Sequence, residues 1–501
     1  MAIERVRVKL PERFDERKPS HTEAVLAKLA EKHGPGWEVE AVDTEAGSLI
    51  ATRQAANTQV AAQGDQMVLG LARGTKPSDG DRIAAKFEDA NPGYTLTLFD
   101  PFVGRAVMTR LTEDEVRCRG AVATALGVKP WEVQVKRAAD GSFNIQLPRT
   151  YTPSKHYDKL VEVAEAVVGA PGWYVRADAA KLTARIIPGE RPMFAPAYAY
   201  PFRSKPDVFR IGIGQTLPAP GEQSRTLAVN LDGTVGLLVQ GLAGSGKSVS
   251  INGFIYGALA VGHEVAVIDV PHKKADFEWM KPYVRDHGWG CDSLEQALTV
   301  VTLVYEEGQR RGKLFDEHGA KKWQDLPASV RAQNPIITLV VDELSGLLTK
   351  DPIPKSLPKD HPMRVEAEMR AAAQDMLAVT LTKIPAEMRA AGIRLLYASQ
   401  QAQSNTGIPP AIKLNIPNRV LLGANPSKQQ RGHAFANPEK APEVPEYIAE
   451  DEKASRGVGV AEFEGQAPVV FKSYFAPDAD FDRHLRDLGV RRTTRPEPTA
   501  A

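Results

Sequence analysis

The string Gly241-Leu-Ala-Gly-Ser-Gly-Lys247-Ser248, set between the apolar run Val235–Gln240 and a helical pattern over Val249–Leu259, constrains this chain more than any other feature. G-x-x-x-x-G-K-S between a strand and a helix wraps the backbone around an anion, so that successive N–H groups and the positive end of the helix dipole face it. The expected phosphate cradle is Gly241, Leu242, Ala243, Gly244, Ser245, Gly246, Lys247, Ser248 and Val249. In this reading Lys247 bridges the β- and γ-phosphates and Ser248 ligates Mg²⁺, which makes ATP and Mg²⁺ the expected cofactors.

A second apolar strand, Glu264–Asp269, ends in an acid, and a third, Ile336–Val341, runs into Asp342-Glu343. Behind a phosphate loop, such a pair reads as a catalytic half-site, with Asp342 in the magnesium shell and Glu343 orienting and deprotonating a water. Ile393–Gln400 and Asn418–Leu422 read as further strands. Gln400 then stands at a strand end, where it either senses the γ-phosphate or caps a turn. Strands alternating with helices predict an α/β fold, a parallel sheet wound on both faces with the nucleotide at the carboxyl ends of its strands.

The front of the chain repeats itself. Pro35-Gly36-Trp37, Pro92-Gly93-Tyr94, Lys129-Pro130-Trp131 and Pro171-Gly172-Trp173 each follow a helical pattern and precede two short strands. Ser20-x-x-Glu23 and Thr112-x-x-Glu115 read as capping boxes, and Asp140-Gly141 as a hairpin turn. One helix-strand-strand unit cannot bury its own apolar face. The four units, near 20–55, 79–110, 112–149 and 154–187, therefore predict two α+β modules, each a four-stranded sheet under two helices, with the aromatics as core anchors. The expected organisation is repeats over 1–187, a Pro-rich linker over 188–206, a motor domain over 207–488 and a disordered tail over 489–501.

Composition limits the partners. With 63 Lys+Arg against 62 Asp+Glu the net charge is +1, so a polyanion must be held by a local patch. Lys273-Lys274 and Arg310-Arg311-Gly-Lys313 are basic clusters that either face phosphates or lie on a solvated helix face. The two isolated cysteines, Cys118 and Cys291, make no disulfide framework and suit a reducing compartment. The N-terminus lacks the apolar core of a signal peptide, and no run suits a membrane-spanning helix. The expected location is cytoplasmic, with peripheral membrane association through partners left open.

Taken together, Leu237–Asn252 with its phosphate loop, Leu339-Val-Val-Asp-Glu-Leu344, Met388–Gln400 and Asn415-Ile-Pro-Asn-Arg-Val420 resemble the FtsK/SpoIIIE family of DNA-pumping ATPases in order and spacing. Tyr305-Glu-Glu-Gly-Gln-Arg-Arg311 is similar to a helix that precedes the family's acidic strand. The resemblance implies a RecA-like P-loop ATPase working as a homo-hexameric ring around double-stranded DNA, with ATP between subunits. It also makes Arg389 and Arg419 candidates for the arginine that a neighbour inserts into the site. Asp269-Val-Pro-His-Lys-Lys274 departs from the family's usual Asp-Pro-Lys. One motor behind a substituted front end is similar to conjugal transfer proteins of actinobacterial plasmids. Membrane-bound transfer or secretion partners, a type VII secretion-like ATPase moving proteins, and a chromosome or phage DNA pump are the alternatives.

Overall fold

The computed structural model describes residues 3–11, 13–44, 46–54, 64–72, 74–202, 207–241, 244–400 and 409–498. The chain divides into two compact units, Met1–Arg191 and Pro192–Ala501.

The second unit is built on one large mixed sheet. Six parallel strands run in the order Val284–Gly290, Glu264–Ile268, Ile337–Val341, Ile393–Ser399, Gly236–Gly241, Asn418–Leu422. Four antiparallel strands then extend it: Val458–Glu462, Val469–Phe475, Arg210–Thr216 and Thr226–Asn230. The strands Gly236–Gly241, Ile337–Val341 and Ile393–Ser399 are buried throughout, as expected where helices cover both faces. Leu237 and Val239 pack with Ile251, Phe254 and Phe481 on one face, while Leu238 packs with Val300, Leu381 and Ile384 on the other. This is the expected α/β fold.

Two buried polar groups away from the phosphate loop, His263 and Arg311, are tied in. His263 accepts a hydrogen bond from Thr338 Oγ1 at Nδ1 (2.8 Å) and donates from Nε2 to the Val208 carbonyl (2.7 Å). The ring is therefore held neutral, and burial depresses its pKa to about 4. Arg311, read as part of a basic cluster, is 1% exposed and binds Glu307 (2.8 Å) and the Ala391 and Pro335 carbonyls. Burial would raise the Glu307 pKa, but hydrogen bonds from Arg310 and Arg311 outweigh it and hold the carboxyl at about 2. Arg311 therefore braces the helix Leu294–His318 from inside, while Arg310, paired with Glu307, and Lys313 stay exposed.

Two boundaries differ from expectation. Phe194 joins a core with Val458 and Val460, and Tyr198–Ala199 pairs with Tyr474–Phe475, so Pro192–Phe202 belongs to the sheet unit instead of linking to it. Beyond Leu488, the chain lies along the outermost strand. The Thr493 N–H donates to the Pro282 carbonyl, and His287 and Trp289 donate to the carbonyls of Arg495 and Pro496 (2.8–2.9 Å). Backbone pairing orders this segment, where its composition suggested a disordered tail.

The first unit contains the four helix-strand-strand units, arranged differently from two equal modules. The third and fourth share the four-stranded sheet Gln134–Arg137, Phe143–Gln146, Thr183–Ile187, Tyr174–Asp178. The first and second each recruit a strand ahead of their helix, Ile3–Lys9 and Gln66–Gly70, and so close as separate three-stranded sheets. Trp37 is buried, and Tyr94 and Trp131 pack in one apolar cluster with Leu96. Thr112 and Glu115 form the capping box. Ser20 does not cap, because its helix begins one residue earlier at Pro19, whose fixed φ suits a first helical position.

The neutral His263 fixes a pH dependence. Its folded pKa lies below the unfolded value of about 6.5, so the unfolded chain binds the extra proton and stability falls as pH drops from about 6.5 toward 4. At pH 5 this should cost roughly 2 kcal/mol. Replacing His263 with Gln should flatten that part of a thermal-melting profile against pH.

Candidate nucleotide site

The helix Lys247–Ala260 starts directly at the loop, where Gly244 (φ 74°) and the cap residue Gly246 (φ 88°) take left-handed backbone that side chains disfavour. A Cβ on Gly241 would meet Ser245 Oγ at 2.8 Å, so the tight turn needs glycine there too. The N–H groups of Lys247, Ser248 and Val249 fall in the first turn, where no helical carbonyl precedes them. Leu242 and Ala243 lie outside the described residues.

Strand order brings the acids to the lysine. Ile393–Ser399 lies between the loop strand and Ile337–Val341, all three parallel, so their carboxyl ends share one edge. Lys247 Nζ forms an ion pair with Asp342 Oδ1, both side chains almost fully buried. Glu343 takes left-handed backbone (φ 46°, ψ 50°) as cap of the helix Leu344–Leu348. For a long side chain this conformation is uncommon, and it aims the carboxylate back over the strand ends.

Both Glu343 oxygens are engaged. Lys273 Nζ reaches Oε2 at 2.5 Å, and Ser345 Oγ donates to Oε1 at 2.6 Å. Ser399 Oγ in turn donates to Ser345 Oγ at 3.0 Å, linking the middle strand to the acid. Burial raises the Glu343 pKa, but Lys273 and Ser345 outweigh it and leave the carboxyl below its ordinary value. Asp269, fully buried beside this pair, is pushed up to about 7 by burial and by Asp342. Ser248 Oγ donates to Asp276 at 2.7 Å.

Of the expected site residues, the fold gathers Gly241, Gly244 to Val249, Asp342 and Glu343 at one edge, with Gln400 exposed at the end of the middle strand. Arg389 and Arg419 are elsewhere. Arg389 Nη1 donates to the Gly233 carbonyl (2.9 Å) and Arg419 Nη2 to that of Lys413 (2.8 Å), both near the amino ends of the parallel strands. Strands of six or seven residues put the two edges roughly 20 Å apart. Neither arginine therefore completes the site of its own chain. Lys273 and Asp269 are the members that the spacing argument left without a role, although their unusual Asp269-to-Lys274 loop was visible.

The residues suit a magnesium triphosphate. Buried Ser245 Oγ, Gln240 Nε2 and Asp269 Oδ2 have no hydrogen-bond partner among the described residues, all at the loop or the strand ends beside it. Ser248 and Asp342 supply hard oxygens in the number Mg²⁺ takes when phosphates fill the rest of its shell.

A parallel sheet with a glycine-lysine loop, and an acidic pair one strand removed, defines a P-loop nucleoside-triphosphatase fold. Within this class, residues 217–404 match the FtsK/SpoIIIE family model. DNA translocase FtsK of Listeria monocytogenes is 27% identical over 46% of this chain and 28% of its own length. DNA translocase SpoIIIE of Bacillus subtilis is 26% identical over 45% and 27%, respectively. The chain thus spans about a quarter of the length of the curated relatives it matches. Among solved structures, the pCW3 conjugation coupling protein TcpA with ATPγS aligns over 75% of this chain and 99% of its own, at 16% identity and TM-score 0.47. The cytoplasmic domain of the type VII secretion ATPase EccC of Thermomonospora curvata aligns over 62% and 34%, at 19% identity and TM-score 0.41. No helix among the described residues is long and apolar enough to cross a membrane.

Substituting Lys273 with Met should raise the Glu343 pKa, because its main cationic partner is gone and burial then acts unopposed. The acid limb of a pH–rate profile for ATP hydrolysis should move to higher pH, while Lys247→Ala should abolish binding of a fluorescent ATP analogue.

Proposed function

We propose that this chain is an ATP-driven translocase of double-stranded DNA that works as a homo-hexameric ring in the transfer of a plasmid or other mobile element. The observation that carries the reading is the shared edge of Lys247, Asp342 and Glu343, inside a segment that matches a family whose curated relatives here are named DNA translocases. Lys247 and the loop N–H groups would hold the β- and γ-phosphates, and Ser248 and Asp342 the Mg²⁺. Glu343 would accept the proton of the attacking water once Lys273 has left its Oε2. Gln400, just past the end of the strand between loop and acids, would contact the γ-phosphate.

The position of two arginines supports the ring in this reading. Arg389 and Arg419 lie at the edge remote from their own chain's phosphate loop, so either can serve a nucleotide only across a subunit boundary. Such an arginine is worth about 10³ to 10⁵ in rate. Arg389 is the better candidate, being exposed, whereas Arg419 is partly buried.

The test is ATP hydrolysis with duplex DNA, single-stranded DNA or none. Duplex should stimulate turnover, Glu343→Gln should lower kcat about 10²- to 10⁴-fold while ATP still binds, and Lys247→Ala should be inactive. Turnover indifferent to DNA would overturn the reading in favour of protein transport. Mixing inactive Lys247→Ala with inactive Arg389→Ala should restore activity, because mixed neighbours rebuild complete sites; no recovery would remove Arg389 from the role.

A further inference from the structure

The first unit has an open sheet face that no helix covers. In the four-stranded sheet, Val135, Ile145, Val175 and Ala184 point to the helices and are buried. Period-two alternation then sends Gln134, Lys136, Asn144, Gln146, Arg176 and Arg185 to the other side. This side, together with Arg105, Thr109 and Arg110 of the neighbouring three-stranded sheet, lines a cleft of about 1090 Å³. The two sheets are fixed against each other: Arg119 donates to the Leu96 carbonyl (2.7 Å), and Trp131 packs edge-on against Phe99 at 5.9 Å.

Charge in the cleft leans positive, with Arg105, Arg110, Lys136, Arg176 and Arg185 against Asp65, Glu115 and Asp178. Of its acids, Glu115 is taken by the N–H groups of Thr112 and Arg137 (2.9 and 2.8 Å), and Asp178 by those of Ala180 and Lys181 (3.0 and 3.1 Å). The third, Asp65, lines the cleft with its backbone carbonyl bound to the Arg110 N–H (2.9 Å). Arg105, Arg110, Lys136 and Arg176 make no ion pair among the described residues, while Arg185 is paired with Asp140. Amide and hydroxyl groups lie between the cations, and the aromatic rings beside them are covered: the Arg110 guanidinium lies over Tyr94 (5.1 Å) and that of Arg176 over Tyr174 (5.5 Å).

We infer that this face is a second DNA-binding surface, which holds the phosphodiester backbone of double-stranded DNA outside the motor. Cations interleaved with neutral donors suit phosphate oxygens, whose contacts position a duplex without reading its sequence. A platform for single strands would need open aromatic faces on which bases stack, and the Tyr94 and Tyr174 rings beside the cleft are each capped by an arginine. The inference rests on residues 65–185 alone and needs no property of the nucleotide site.

The experiment is fluorescence-anisotropy titration of the full chain, without nucleotide, against a labelled 30-base-pair duplex over a range of salt concentrations. Combined Arg105→Glu, Lys136→Glu and Arg176→Glu should weaken binding at least about tenfold and lower the slope of log K against log salt by about 2.7, at 0.9 per lost phosphate contact. Combined Arg105→Lys and Arg176→Lys, which keeps charge and fold, should stay near wild type, and Lys136→Gln alone should lower the slope by about 0.9. The inference is overturned if affinity and slope are unchanged in the Glu variant, or if single-stranded DNA binds more tightly than duplex. It is also overturned if polyglutamate displaces the duplex at equal charge, which would assign the cleft to an acidic protein partner. ATP turnover that still depends on Lys247 would show that any such failure belongs to this cleft and not to the motor.

Discussion

Five charged groups, Lys247, Lys273, Asp269, Asp342 and Glu343, crowd the carboxyl edge of the parallel strands, and the second unit is organised around keeping them paired. Four of them are at most 8% exposed. Removing charge from water costs several kcal/mol per ion unless a partner or hydrogen bonds offset it. Lys247 answers Asp342 and Lys273 answers Glu343, which leaves Asp269 as the surplus carboxyl and explains why its proton is held to about pH 7. Three acids to two bases is an arrangement that accommodates an added cation better than it tolerates a lost one.

The sheet order makes this crowding possible. Lys247 and Asp342 are 95 residues apart, and their strands are not neighbours. The intervening strand Ile393–Ser399 is continuous with both, and its Ser399 reaches the acid through Ser345. A change at the end of that strand can therefore alter the hydrogen bonding of Glu343 without moving the strand that carries it.

What could be read from the sequence follows from how locally each feature is determined. The loop needs glycine at positions of positive φ and a lysine directly after them, so its string alone nearly specifies its geometry. The capping box at Thr112, the hairpin at Asp140-Gly141 and the strand ending in Asp342-Glu343 are likewise set by residues a few positions apart. Lys273 was legible only as one of two adjacent lysines, because its partner is 70 residues away and its segment Pro271–Tyr283 is a 3₁₀-helix, whose buried Phe277, Met280 and Tyr283 follow a period of three that matches neither strand nor α-helix. Arg311 misled in the other direction: a basic run suggests a solvated face, yet Glu307 one turn earlier and two carbonyls draw that side chain inside. The front sheets were harder still, since nothing local says that Ile3–Lys9 and Gln66–Gly70 pair back onto their own units.

The segment Arg491–Glu497 illustrates how a modest piece of chain can govern assembly. It takes up the N–H groups of His287 and Trp289 in Val284–Gly290, the last strand on the parallel side, and Arg491, Thr493 and Arg495 converge on Asp286. An uncovered strand at that border is a template on which a foreign chain can add itself. With two of its N–H groups already bound, that border offers such a chain a broken ladder rather than a continuous one.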